Sequence, residues 1–348
     1  MKKNLSFDTI KRFYSLKSNR IYSLPIVILM PHSRCNCRCV MCDIWKGNNN
    51  IKQLEEADIQ KMFESMRKLN TKLVVMSGGE ALMHPNFFRL CEIIKSQNIK
   101  ITLLSTGLLL KRFASEIISK TDEVIVSLDG SKEVHDKIRN IPNAFDKLKE
   151  GAQELKSLDP KFRVTARCVI QKENFDDLPN IVESAREIGL DQISFLTADV
   201  TTDAFNRPEL WGEEKMGEIK LSPEELERFK QVIENLIETY SENFKNKFIA
   251  ESPEKIRRFY EYYAAFQGLT EFPPLRCNAP WVSAVIEADG TVRPCFFHEV
   301  IGDIKQNSLS EIINSDKSFS FRKNLDVDTN PICKKCVCSL NLSPFARL

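Results

Sequence analysis

PHSRCNCRCVMCDIW, residues 31–45, carries four of the chain's eleven cysteines within eight residues. Cys35, Cys39 and Cys42 are separated by three residues and then two. Thiolates spaced in this way on an irregular loop can converge on one soft metal centre. A structural zinc or a fully ligated iron–sulfur cluster takes four protein ligands, and this spacing offers three. Cys37, squeezed between two of them, is expected to point away. Three thiolates leave one iron of a cluster open, and an open iron can bind and activate a molecule. The competing reading is a zinc knuckle that uses all four cysteines.

The spacing Cys35-x3-Cys39-x2-Cys42 resembles the signature of radical S-adenosylmethionine (SAM) enzymes. The resemblance implies that these three cysteines hold a [4Fe–4S] cluster whose fourth iron is chelated by the amino and carboxylate groups of SAM. One electron then cleaves SAM to methionine and a 5′-deoxyadenosyl radical, which abstracts hydrogen from substrate. One departure is visible: the family usually has an aromatic residue just before the third cysteine, and here Met41 stands there.

A chain of 348 residues is long enough for one large domain and a smaller one. With 42% hydrophobic and 28% charged residues it reads as an ordinary globular protein. Fifty basic against 48 acidic residues leave a net charge of +2, no footprint for nucleic acid or an anionic membrane. Lys2, Lys3, Lys11 and Arg12 precede the apolar PIVILM in the manner of a signal peptide. Tyr22, Ser23 and Pro25 interrupt that pattern, and no small-residue cleavage site follows. No apolar run is long enough for a membrane span. A cytoplasmic protein is expected, and eleven cysteines there point to metal ligation more than to disulfides.

Residues 5–20 are expected to form a short helix within an N-terminal segment, 1–24. Over 25–200, β-rich runs alternate with longer amphipathic ones. The strands are expected at 26–30, 72–77, 99–105, 123–129, 163–170 and 192–196. Helices are expected at 55–69, 86–97, 111–119, 144–158 and 178–188. This alternation predicts an α/β fold with a parallel sheet and helical crossovers. Six units are two short of a closed eight-fold barrel. They suit the partial (β/α)6 barrel that the radical SAM resemblance implies, with its chemistry at the C-terminal ends of the strands.

Those ends carry polar groups. Ser77-Gly78-Gly79-Glu80 follows the second strand; two glycines let backbone approach a ligand, and Glu80 adds an anionic acceptor. It matches the family's GGE motif, which implies a contact to the amino group of SAM. Ser105, in Ser105-Thr106-Gly107 where relatives commonly carry Thr-Asn-Gly, is a further candidate SAM contact. Ser127 and Asp129, two apart in Ser127-Leu128-Asp129-Gly130, share one face of a strand. The family's S-x-D-G element sits here and implies contacts to the ribose hydroxyls. On the fifth strand Arg163, Thr165 and Arg167 share a face that belongs in the barrel lumen. Arg167 is a candidate partner for the SAM carboxylate or for an anionic substrate. Cys91 and Cys168 read as small buried hydrophobes.

Residues 201–273 lose the strand pattern and are expected to form a helical bridge that helps cover the barrel mouth. Helices are predicted over 221–243, with Ser222 as N-cap and Glu225 completing a capping box, and over 253–266. The only low-complexity run is Asn48–Asn50. From 274 to 348 a second cysteine set appears. Cys277 and Cys295 flank a hairpin turning at Asp289-Gly290, and Cys333-x2-Cys336 follows with Cys338 just beyond. Two separated pairs suit a structural zinc equally well. RCNAPW, the Asp289-Gly290 pair separated by four residues from Cys295, IGDI and SLSEIINS resemble the C-terminal extension called SPASM, or Twitch in its shorter form. That resemblance implies a small hairpin-helix domain with one auxiliary [4Fe–4S] cluster on Cys277, Cys295, Cys333 and Cys336, with Cys338 as alternative ligand.

The expectation is a radical SAM enzyme that carries out a two-electron oxidation of a small molecule. A low-potential electron donor such as flavodoxin or ferredoxin is implied. The alternatives are radical modification of a ribosomally made peptide and a non-catalytic zinc protein. No N-terminal domain large enough to recognise a leader peptide is visible, which favours the small substrate.

Overall fold

Six strands follow one another as the alternation predicts: β1 (Ile26–Leu29), β2 (Leu73–Met76), β3 (Lys100–Ser105), β4 (Glu123–Ser127), β5 (Arg163–Ile170) and β6 (Gln192–Thr197). The computed structural model describes residues 7–204, 207 and 209–346. All six strands pair in parallel, in sequence order, and β6 does not meet β1, so the barrel is open. Period-two alternation separates two apolar faces. Val27, Val74, Leu103 and Val124 are fully buried under the helices. Ile28, Val75, Leu104 and Ile125 line the barrel interior instead. Helices Glu56–Lys68, Phe87–Lys95, Ala114–Lys120, Ala144–Leu158 and Leu178–Ile188 cover the outside. Each fully buried aliphatic side chain contributes roughly 1.5–3 kcal/mol.

A helix over Lys132–Arg139 was not expected. It is only eight residues long and closes on Asn140 in the left-handed conformation. Its importance lies in what its end holds, described below.

The C-terminal hairpin does more than follow the barrel. Its first strand, β7 (Ser283–Ile286), pairs in parallel with β1, Ile26 opposite Ser283 and Leu29 opposite Ile286. Strands β8 (Thr291–Arg293) and β9 (Gly302–Asp303) add on antiparallel, making one nine-stranded sheet. All four residues of β7 are buried, as a strand inside a sheet requires. The turn differs from the two-residue form expected. Glu287 donates its N–H to the Thr291 carbonyl, leaving three loop residues, and Gly290 takes φ +98°. This is a three-residue hairpin loop with glycine at the left-handed position.

Within 201–273, helix Pro223–Thr239 starts with the predicted Ser222/Glu225 capping box, and helix Pro253–Phe266 packs against it. Its tyrosines are core: the Tyr262 and Tyr263 hydroxyls donate to the carbonyls of Ala198 and Ile170. The β6 edge is capped by backbone hydrogen bonds between Ile193 and 248–250. The N-terminal helix runs over Phe7–Ser18, and residues 1–6 of the expected segment lie outside the described residues. No helix is long and apolar enough to cross a membrane among the described residues.

Candidate functional site

Cys35, Cys39 and Cys42 line one cavity of about 230 Å³ at the C-terminal ends of the strands, together with Gly78, Gly79 and Ser127. Cys37 does not line it and is 1% exposed within the loop, as expected. Three neighbouring elements hold the loop in shape. The Asn48 side chain clamps Cys35, accepting from its N–H at 3.0 Å and donating to its carbonyl at 2.9 Å. Arg38 and Val40 donate their N–H groups to the carbonyls of Arg139 and Ile138, at the end of the unexpected helix. Glu80 donates its N–H to the Arg34 carbonyl at 2.8 Å. At Gly79 a Cβ would stand 2.1 Å from that same oxygen, so only glycine fits.

The thiols are prepared unequally. Burial pushes Cys35 and Cys42 up to about 12. Cys39 is drawn down to about 6, chiefly by a hydrogen bond from the Cys37 thiol and further by the Arg139 guanidinium. Arg139 Nη1 lies 3.4 Å from Cys39 Sγ. Among the described residues no three His, Cys, Asp or Glu side chains are arranged to hold a single ion. The donor chemistry, three thiols around an open cavity flanked by glycine backbone, fits a larger sulfur-ligated group with one free coordination side.

The strand-end candidates divide. Gly78, Gly79, Ser105 and Ser127 line the cavity; Glu80 and Asp129 do not. Glu80 is fully buried, and its carboxylate accepts from Leu82 N, Ser105 Oγ, Thr106 N and Thr106 Oγ1. Four protein donors leave it little capacity for a ligand. Burial pushes its carboxyl up, and the Thr106 donors oppose that. Asp129 lies beyond the last residue of β4, so strand alternation no longer sets its direction. Its carboxylate forms a buried ion pair with Arg139 and accepts from Val169 N at 2.8 Å. Burial works against the charged form of Arg139, but Asp129, Cys39 and Cys37 together outweigh it and hold the guanidinium above its ordinary value. Arg167 stands opposite Ser127 in the β4–β5 pairing and lines the barrel interior and a side cleft, while the cysteine-loop cavity is lined by its neighbours Ser127 and Val169.

Arg139 is the functional side chain that sequence reasoning missed. It lines the cavity, reaches Cys39 and buries Asp129. Its signal was the run Asp129-Gly130 followed ten residues later by arginine, legible only once a helix is placed between them. Asn48, which clamps Cys35, lies in the low-complexity run Asn48–Asn50, where no local pattern marks it.

The second cysteine set converges as well. Cys277, Cys295, Cys333, Cys336 and Cys338 all line one cavity of about 310 Å³ in the barrel interior. Burial raises Cys295 to about 11 and Cys333 to about 12. His298, 6% exposed, places Nε2 3.4 Å from Cys333 Sγ. Cys338 is the exposed member of the five, and Cys91 and Cys168 are buried apart from both sets.

Residues 29–185 match the Radical SAM superfamily, and residues 277–337 match SPASM, an iron–sulfur cluster-binding domain. The AdoMet-dependent heme synthase of Methanosarcina barkeri is 26% identical over 44% of this chain, which spans 45% of that relative. A cysteine-type anaerobic sulfatase-maturating enzyme of Clostridium novyi is 24% identical over 90% of this chain and 85% of its own length. Among solved structures, native anSMEcpe with bound AdoMet and the Cp18Cys peptide superposes with a TM-score of 0.63 at 20% identity, covering 89% of this chain and 87% of that one. The fold, the two thiol sets and both domain matches agree: the chain belongs to the radical SAM superfamily, with a [4Fe–4S]- and SAM-binding barrel joined to a SPASM iron–sulfur domain.

Proposed function

We propose that this protein oxidises a small molecule by two electrons, consuming SAM as co-substrate, between the cysteine-loop cavity and the C-terminal cysteines. The observation that carries this reading is that two sulfur-rich sites face one barrel: three thiols at its mouth and five lining its interior. When bound, the first cluster with SAM supplies a 5′-deoxyadenosyl radical that abstracts hydrogen, and the second offers an acceptor for the electron left on the substrate. Cys35, Cys39 and Cys42 would hold the first group; Cys277, Cys295, Cys333 and Cys336 would hold the second, with Cys338 next in line.

The chain's own residues do the positioning. Gly78 and Gly79 admit a ligand against backbone beside the thiols, and Ser105 and Ser127 offer hydroxyls to it. Glu80 acts one step back, fixing the Thr106 turn through the bonds described above. Asp129 likewise fixes Arg139, whose guanidinium, together with the Cys37 hydrogen bond, draws the Cys39 thiol down. Val169, Leu196 and Val337 line the cavity with apolar surface. A low-potential donor such as flavodoxin or ferredoxin would supply the electron, in the cytoplasm. Residues 25–200, 201–273 and 274–348 would act as barrel, bridge and cluster domain. A peptide substrate is the second reading, favoured by similarity to the sulfatase-maturating enzyme along nearly the whole chain.

Iron analysis of the Cys35→Ala/Cys39→Ala/Cys42→Ala protein, reconstituted anaerobically, tests the assignment. It should keep roughly half the iron and sulfide of the parent, because each set holds one independent four-iron cluster. It should form no 5′-deoxyadenosine. Undiminished iron, or undiminished cleavage of SAM, refutes the assignment.

A further inference from the structure

Beside the barrel opens a cleft of about 870 Å³, with a wall chemistry unlike the rest of the interior. Three segments build it. Strand β5 contributes Arg167; helix Pro253–Phe266 contributes Lys255 and Arg258, three residues apart and therefore on one face; the segment before Cys277 contributes Arg276. Against these four cations the cleft sets two carboxylates, Glu251 and Asp328. Glu251 is already engaged, accepting from Phe195 N at 3.0 Å and from Lys255 Nζ at 3.3 Å.

Arg167, Arg258 and Arg276 form no ion pair with any carboxylate among the described residues. Arg167 is half-buried in the barrel wall, and its one hydrogen bond is a long contact from Nε to Ser194 Oγ at 3.5 Å. A guanidinium turned inward without a counter-charge pays a desolvation cost that a bound anion would relieve. Its planar fork matches carboxylate or phosphate oxygens two at a time. Several like charges around a concave wall also concentrate anions there.

The cleft communicates with both sulfur sites. It shares Leu196, Thr197 and Val337 with the cysteine-loop cavity, and Arg167, Cys336 and Cys338 with the barrel interior. We propose that this cleft is the substrate site and that it takes a polyanionic small molecule, held through carboxylate or phosphate groups by Arg167, Arg258 and Arg276. The proposal rests on the reading of the chain as a radical SAM enzyme, since that places the reacting C–H bond at the wall shared with the cysteine loop. The anionic groups then lie toward the arginines, and the reacting carbon points to Leu196 and Val337.

Calorimetric titration of citrate and of pyrophosphate into the reconstituted protein, anaerobically and with SAM present, is the test. At least one probe should bind at roughly millimolar affinity or tighter, and more weakly as salt is raised. Arg167→Gln and Arg258→Gln should each weaken that binding roughly tenfold or more, as expected for a lost charge-assisted hydrogen bond. Arg89→Gln, on an outer helix, should leave it unchanged. Citrate binding alone assigns carboxylates, and pyrophosphate binding alone assigns phosphates; either supports the site. Failure of both probes, or affinity unchanged from the parent in Arg167→Gln and Arg258→Gln, overturns it. SAM titrated separately into the parent protein tests the underlying reading: a protein that binds the probes but not SAM loses the enzyme assignment and keeps the anion site.

Discussion

Asp129 and Glu80 are both fully buried, and both carboxylates are committed to the protein itself. Asp129→Ala would leave the Arg139 guanidinium buried without a partner, at a cost of about 3–5 kcal/mol. A loss of unfolding free energy of that size, read from denaturant titration, is expected, together with weakened iron retention by the cysteine loop. Unchanged stability would mean that Arg139 finds another acceptor. The sequence placed Ser127 and Asp129 on one face, which holds only while the strand lasts, and β4 ends at Ser127. Whether a carboxylate meets a ligand or a neighbouring arginine is decided by residues far along the chain, so it was not legible. The thiols carry a pH prediction. Cys35 and Cys42 are raised by burial from 9.0 to about 12. Their protonated forms therefore favour the folded apo-protein below pH 9, and that contribution is lost as pH rises from 9 toward 12. Each thiol should remove on the order of 1.4 kcal/mol between pH 9 and 10. Thermal midpoints of apo-protein should fall over that interval more steeply than those of the cluster-loaded protein, whose thiolates are already deprotonated. Parallel curves would contradict this.

At the scale of elements, the cysteine loop is shaped by its neighbours more than by its own sequence. Helix Lys132–Arg139 offers its last carbonyls to the N–H groups of Arg38 and Val40, and the turn at Gly79 packs against Arg34. Gly79→Ala must push the loop aside, because the new Cβ meets backbone rather than a flexible side chain. The expected outcome is loss of roughly half the iron, all from the N-terminal site, with the C-terminal iron retained. Full iron content in this variant would show that the loop tolerates the displacement. The βα alternation was readable because each strand and most helices repeat a long apolar period; helices 144–158, 178–188 and 253–266 fall where periodicity put them. The eight-residue helix escaped because two turns give too little periodicity to separate from a loop.

Across the whole molecule, the barrel and the C-terminal hairpin are one sheet. β7 supplies the partner that β1 lacks on its outer side, and Trp281 Nε1 donates to Asn19 Oδ1 while Arg322 donates to the Asn19 carbonyl. The sequence shows the hairpin and its cysteines, but a parallel pairing between strands more than 250 residues apart leaves no local pattern. A chain ending at residue 276 would expose the β1 edge and the apolar barrel interior, and should elute as aggregate on size exclusion. A monodisperse monomer would show the barrel to be self-sufficient. Reductive cleavage of SAM at the cysteine loop is tested by mixing anaerobically reconstituted, dithionite-reduced protein with SAM and quantifying 5′-deoxyadenosine and methionine. Both products are expected in equal amounts from the parent and neither from Cys39→Ala. Zinc without sulfide in the purified protein, with SAM left intact, would contradict the radical SAM assignment.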